Sequence, residues 1–204
     1  MIVVCSDTHS REGHALTGRT LEAVREAELV IHAGDFVTAS ALEAFESVAA
    51  ALVAVHGNAD HPAVKRRLPR VETVDVEGVR ILVTHRSRGG DTGLAMLGRE
   101  NGADIVVSGH THRPRVSRVG APPGAGGAAG AKGTAGGKRA GGTETEAVEG
   151  TAGTGGLVLL NPGSHADPRG HRPGHAELTP SDEGLAGTLR SPDGTVHERV
   201  TIRR

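Results

Sequence analysis

The chain has no tryptophan, no tyrosine and only two phenylalanines, Phe36 and Phe45. A core built from aromatic rings is therefore excluded, and Val, Leu, Ile and Ala must supply the buried surface. There is one cysteine, Cys5, so no internal disulfide can form. It lies in the apolar run 2–5 and reads as a small buried hydrophobe, not a nucleophile. No apolar stretch approaches the roughly 18 residues of a membrane span. The N-terminal run turns polar at Ser6 and Asp7 before a secretory core could form, which points to a cytoplasmic protein. Lysine is confined to Lys65, Lys132 and Lys138, and the formal net charge is −1. With the arginines in no continuous block, neither strong nucleic-acid binding nor attachment to an anionic membrane is expected.

What is present is a chain of 204 residues with twelve histidines. That length suits one α/β domain over residues 1–204 and is short for two. Residues 1–119 alternate short aliphatic runs with helical periodicity. The runs 2–5, 29–33 and 52–55 read as strands. Residues 20–28 read as a helix with Leu21, Val24 and Ala27 on one face, and 39–51 as another with Leu42, Phe45 and Val48. The segments 71–76 and 79–83 predict a hairpin turning at Glu77-Gly78. After them come a helix over 93–101 and a buried strand over 105–108. The early β-α-β-α-β order predicts parallel strands joined by crossover helices. Residues 120–156 differ: 23 of these 37 are Gly or Ala, too few apolar groups to offset ordering entropy, which predicts a flexible surface insertion. Strand character resumes at 157–160, and 175–202 reads as short antiparallel strands with turns at 182–184 and 191–194.

The informative pattern lies at the ends of the aliphatic runs. They close with Asp7-Thr-His9, Gly34-Asp35, Gly57-Asn58-Ala-Asp60, Thr84-His85, Gly109-His110-Thr-His112 and Asn161-Pro-Gly-Ser164. In open α/β sheets the carboxyl ends of strands gather along one edge, where ligands bind. Glycine beside such a residue lets backbone approach closely. Carboxylate, imidazole and amide oxygen without thiolate suit Mn, Fe, Co, Ni or Zn in a reactive site better than a structural zinc. Seven such side chains are too many for one tetrahedral ion and enough for two ions that share a carboxylate.

This ordered set resembles the calcineurin-like metallophosphoesterases, and most closely their small single-domain bacterial and archaeal phosphodiesterases. The resemblance covers residues 1–119 and about 157–178. It implies a four-layer α/β/β/α sandwich of two mixed sheets flanked by helices, and two divalent ions with manganese foremost and Ni, Co, Fe or Zn as alternatives. By the same resemblance Asp7, His9, Asp35 and His112 hold one ion, and Asp35, Asn58, His85 and His110 the other. Asp35 is then the bridge, and Asp35, Asn58 and His85 stand at the reacting centre. The reaction implied is attack on phosphorus by a hydroxide shared between the ions, with a small phosphoester as substrate.

One position departs from many members of the family: the residue after Asn58 is Ala59, where a histidine often serves as general acid. His61 and His14 are the nearby substitutes. Arg11, Arg86 and Arg113 stand just after ligand motifs and are candidates, with His61, for contacting substrate phosphate. Asp60 reads as a residue that orients a ligand or caps a turn. Asn161–Ser164 and Arg169 match the family segment that closes one side of the site. Two other readings stay open: a protein-assembly scaffold on the same fold, as in the retromer subunit with its altered metal site, and a phosphatase for phosphoproteins or dinucleoside polyphosphates. A homo-oligomer is compatible with all three.

Overall fold

The computed structural model describes residues 1–120 and 156–203; residues 121–155, all but the two ends of the expected insertion at 120–156, lie outside the described residues. The chain runs β1 (Ile2–Cys5), α1 (Gly18–Glu26), β2 (Leu29–His32), α2 (Ala39–Val48), β3 (Leu52–Ala54), α3 (Pro62–Arg67), β4 (Val71–Val76) and β5 (Val79–Thr84). It continues α4 (Gly90–Glu100), β6 (Ile105–Val107), β7 (Arg115–Val119), β8 (Leu157–Asn161), β9 (His175–Ser181), β10 (Gly184–Arg190) and β11 (Val196–Arg203).

Two mixed sheets form. One has the order β11-β10-β9-β1-β2-β3 and the other β4-β5-β6-β8-β7. Within each, three strands are parallel: β1, β2 and β3 in the first, β5, β6 and β8 in the second. Central strands are buried on both faces, which is why they read as unbroken apolar runs. Side chains alternate across them. Ile2, Val4 and Ile31 of the first sheet meet Ile81, Val83, Ile105, Val107, Val158 and Leu160 of the second in a shared core. Val3, Cys5 and Val30 point the other way, into Val24, Leu42, Phe36 and Phe45 beneath α1 and α2. Leu82, Val106 and Leu159 pack against Leu94 and Ala95 of α4. Helices, sheet, sheet and helix are thus the four layers the resemblance implies.

Boundaries shift in places. The first helix covers Gly18–Glu26 and the second stops at Val48, where Ala49 is already extended. Thr38 caps that second helix, its Oγ1 accepting from Ala41 N–H at 3.2 Å. The fourth helix begins at Gly90, three residues before the expected 93, behind Gly89 at φ 93°. Two elements were not expected. Helix α3 buries only Val64, so it shows no periodicity, although Pro62 at its first turn favours a start there. Strand β7 is a polar edge strand paired only to β8. Among the described residues no helix is long and apolar enough to cross a membrane.

Candidate metal centre

Parallel strands place their carboxyl ends on one side, and here two such sets face each other. Backbone bonds stitch the loops together. Asp7 N–H donates to Gly34 O at 2.9 Å, His9 N–H to Asp35 O at 3.0 Å, and Gly109 N–H to His85 O at 3.0 Å. His110 N–H spans both sheets by donating to the Asp7 carboxylate, 3.0 Å from each oxygen. Five of the cluster residues have left-handed backbone: Asp7 (φ 53°), His9 (46°), Asp35 (61°), His110 (72°) and His112 (57°). Each such conformation costs about 1–3 kcal/mol for a residue other than glycine and persists where the surroundings over-determine it.

That local cost turns the side chains onto one spot. Asp35 Oδ2 lies 3.4 Å from His9 Nε2 and 3.2 Å from His85 Nε2. Asp7 Oδ1 lies 3.4 Å from His112 Nε2. Asn58 Oδ1 is 3.1 Å from His85 Nε2, and the His110 ring stands 5.4 Å from the His85 ring. One donor atom each from Asp7, His9 and His112 falls within 4.8 Å of the others, as does one each from Asp7, Asp35 and His85. Asp7, Asp35, His85 and His112 are almost wholly buried.

Glycine makes room. A Cβ on Gly57 would sit 2.1 Å from Asp35 Oδ1, and one on Gly109 would sit 2.0 Å from Ser6 Oγ and 2.7 Å from Asp7 Oδ2. The carboxylates occupy the volume a side chain would need.

Neighbouring groups fix the orientation. The Nδ1 of His85 donates to Ala33 O at 2.8 Å, which aims Nε2 at the cluster, where the neutral ring would present its lone pair to a cation. The Nδ1 of His112 donates to Asp167 O with the same consequence. Asp60 accepts from Asp35 N–H (3.1 Å), Gly57 N–H (2.7 Å) and Val37 N–H (2.6 Å), and so ties the second and third strand-end loops together. Ala59 N–H donates to Asp35 Oδ1 at 2.7 Å, and Lys65 Nζ holds Asn58 O at 2.9 Å. Ser6 Oγ donates to Asp7 Oδ2 at 2.7 Å, and Ser164 Oγ to Asp7 O at 2.6 Å.

Burial pushes the Asp7 carboxyl up against the pull of His85, Ser6 and His112, and the Asp35 charge adds to the rise. Burial acts the same way on Asp35, but hydrogen bonds from His85 and His9 overturn it and hold that carboxyl well below the usual range. His85 is held up: burial would lower it, yet Asp35 and Asp7 outweigh burial. His110 is pushed down by burial and by the His85 and Arg86 charges. Two buried carboxylates that repel one another, with imidazole nitrogens aimed between them that a cation can take in place of their protons, make a donor set that fits divalent cations.

The remaining expected residues fall elsewhere. Arg11, Arg86 and Arg113 are exposed, and among them only Arg86 acts on a cluster residue, His110. His61 is the exposed residue before α3. His14 accepts Leu16 N–H on Nδ1 at 2.9 Å and stands edge-on to Phe45. Arg169 reaches the cluster instead: its Nη2 is 3.3 Å from His9 Nε2, while its Nε donates to Asp167 Oδ2 at 3.0 Å. Asp167 and Lys65 carry no sequence signal, because both act through a main-chain carbonyl.

The sequence pattern of the calcineurin-like phosphoesterase superfamily domain matches residues 1–183. A probable metallophosphoesterase of Methanocaldococcus jannaschii is 34% identical over 119 residues, covering 56% of this chain and 59% of the relative. A probable metallophosphoesterase of Methanothermobacter thermautotrophicus is 35% identical over 124 residues, 58% of this chain and 70% of that one. A phosphodiesterase of M. jannaschii is 26% identical over 122 residues, 54% and 72% of the two chains. The chain therefore spans less than two thirds of the first relative. Among solved structures, zinc-complexed Vps29 of Entamoeba histolytica superposes with a TM-score of 0.67 at 21% identity, over 98% of this chain and 97% of that one. The phosphoesterase Yfce of E. coli gives 0.60 at 19% identity, over 99% of both. These likenesses establish the fold. The matched stretch takes in every strand-end residue of the cluster, and on that extent the chain belongs to the calcineurin-like phosphoesterase superfamily.

Proposed function

We propose that this chain is a single-domain phosphodiesterase dependent on two divalent metal ions, manganese foremost. The observation that carries the reading is the position of Asp35: its Oδ2 faces His9 at 3.4 Å on one side and His85 at 3.2 Å on the other. An oxygen so placed suits a bridge between a set of Asp7, His9, Asp35 and His112 and a set of Asp35, Asn58, His85 and His110. Two ions held there would acidify a water and neutralise phosphate oxygens. The chain's own part is to fix that geometry. Ala33 and Asp167 carbonyls orient His85 and His112, and Ala59 N–H orients Asp35. Arg169, beside His9, is placed to meet a phosphate oxygen at the edge of the cluster. No side chain at Ala59 can protonate a departing alkoxide, so substrates whose leaving group departs as a stable anion are favoured. Membership of the family and a phosphodiesterase among the relatives support the reading.

The test is turnover of bis-p-nitrophenyl phosphate by protein stripped with a chelator and then reloaded. Nitrophenol release restored by Mn²⁺, and lost in Asp35→Ala, is the expected result. A folded protein inert with Mn²⁺, Ni²⁺, Co²⁺, Fe²⁺ and Zn²⁺ would overturn the enzymatic reading in favour of a role in protein assembly.

A further inference from the structure

The turn that leaves β2 is bound to the cluster through its main chain. Ala33 O accepts from His85 Nδ1 at 2.8 Å, Gly34 O from Asp7 N–H at 2.9 Å and Asp35 O from His9 N–H at 3.0 Å. Asp35 itself supplies the carboxylate that faces both His9 and His85. Where residues 33–35 sit therefore fixes where these groups meet. Against this turn lies a ring that the metal chemistry does not use, the wholly buried imidazole of His32.

The packing around His32 asks only for a ring. It stacks on Phe36 with ring centres 3.7 Å apart and meets Phe45 edge-on at 4.8 Å. A phenylalanine would satisfy those contacts, and two buried ring nitrogens are costly unless both are bonded. Both are. Nδ1 accepts from Gly34 N–H at 3.2 Å, inside the turn that carries Asp35. A nitrogen that accepts carries no proton, so the proton is on Nε2, which donates to Thr8 Oγ1 at 2.7 Å. Burial pushes the ring well below its ordinary value and so keeps it neutral, as both bonds require. Thr8 is buried too, and it stands between Asp7 and His9, each in left-handed backbone. Backbone of that kind persists only where its surroundings over-determine it.

We propose that His32 and Thr8 are a positioning pair for the metal centre, in which one neutral imidazole joins the turn bearing Asp7 and His9 to the turn bearing Asp35; the inference rests on the metal-dependent reading above. Neither residue is a ligand, and both act through the ligands they hold. With the pair intact, the Asp35 carboxylate and the ligands after β1 keep one spacing before any ion binds. Without it the two turns can part, and an ion must order them as it binds. The loss falls on metal affinity, not on the core, which a ring of any kind would fill.

The test is a calorimetric titration of Mn²⁺ into the chelator-stripped full chain. Thr8→Val and His32→Phe should each bind the ion at least about tenfold more weakly than the parent. The double variant should bind no more weakly than His32→Phe alone, because that change already breaks the shared bond. Thr8→Ser, which keeps the hydroxyl, should restore parental affinity. His165→Phe alters a ring that also meets Phe45 but bonds to neither turn, and it should leave affinity unchanged. Nitrogen-15 spectra of the metal-free histidine rings should show the His32 proton on Nε2. Parental affinity in Thr8→Val, additive losses in the double variant, an equal loss in His165→Phe, or a His32 proton on Nδ1 overturns the pair. Should His32→Phe misfold, Thr8→Val against Thr8→Ser decides alone, and equal affinities refute the pair. A parent that binds no Mn²⁺ refutes the metal centre itself, whereas variants that match a binding parent refute only the pair.

Discussion

Oδ2 of Asp35 lies 3.2 Å from Nε2 of His85, and the two groups displace each other's proton affinity in opposite directions. His85 is held above its ordinary value despite its burial, because Asp35 and Asp7 stabilise its cation. A divalent ion needs the neutral imidazole, so it must expel that proton. Affinity should be steady above the raised His85 value and should fall as pH drops through it. Manganese titrations of the stripped chain in two buffers of different ionisation enthalpy check this. Proton release should be greater at pH 7 than at pH 8, and heats that do not depend on buffer would refute the coupling.

Gly57 tests how tightly the carboxylate is seated. An alanine Cβ there would stand 2.1 Å from Asp35 Oδ1 and 2.7 Å from Asp35 N, so the carboxylate must move. Displaced orienting contacts around metal ligands typically cost roughly 10–100-fold in affinity or activity. Gly57→Ala should therefore lose manganese affinity by about that factor and keep its far-UV spectrum. An alanine variant with parental affinity would mean that Asp35 does not need its present place.

The strand ends were legible in the sequence for a physical reason. Strands buried on both faces, such as Ile2–Cys5 and Ile105–Val107, leave unbroken apolar runs that stop abruptly at Asp7 and His110. Left-handed backbone at Asp7, His9 and Asp35 then turns these side chains together, and nothing in residue type announces it beyond the adjacent glycines. Short or one-sided elements were not legible. Helix α3 buries one residue, and β7 alternates Arg115, Ser117 and Arg118 around Val116 and Val119. Nor were contacts made through main chain, such as Asp167 O on His112 and Lys65 on Asn58 O. Arg169, matched in sequence to the segment that closes one side of the site, does reach His9, while Arg113, beside a cluster histidine, is exposed.

Acid should loosen the fold through buried histidines. Burial pushes His165 down to about 4, and burial also lowers His32 and His175. The unfolded chain binds these protons near pH ~6.5 and the folded chain does not, so stability falls as pH drops below that value. His165 Nδ1 is buried without a partner, and its ring stands edge-on to Phe45. His165→Phe should match the parent within about 1 kcal/mol at pH 7 and exceed it by ~2 kcal/mol at pH 5. Urea unfolding at the two pH values checks it, and parallel losses in both proteins would show that His165 does not carry the effect.

Glu177 should carry a dependence of the same sense in a more acidic window. It is 8% exposed and sits where three elements meet. Its Oε1 accepts from Arg19 Nε of α1 at 2.8 Å, and His175 Nε2 stands 3.3 Å from the same oxygen. Its Oε2 accepts from Arg190 Nε of β10 at 3.2 Å. Burial alone would raise the carboxyl, but the bonds from Arg19 and His175 and the Arg190 charge bring it below the ordinary glutamate value. The stability this gives is present above the unfolded value near pH ~4.3 and is lost as pH falls through the lower folded one. Glu177→Ala removes a carboxylate from two half-buried guanidiniums, although Arg19 keeps Glu26 at 3.1 Å and Arg190 the Gly194 carbonyl at 3.1 Å, and should cost about 2 kcal/mol at pH 7. Glu177→Gln keeps the shape without the charge and should cost about 1–2 kcal/mol. The gap between parent and Gln should close toward pH 3, where the carboxyl takes up its proton. Urea midpoints at pH 7, 5 and 3 measure all of this, and a Gln variant as stable as the parent at pH 7 would show that hydrogen-bond shape, not charge, joins α1 to the sheet.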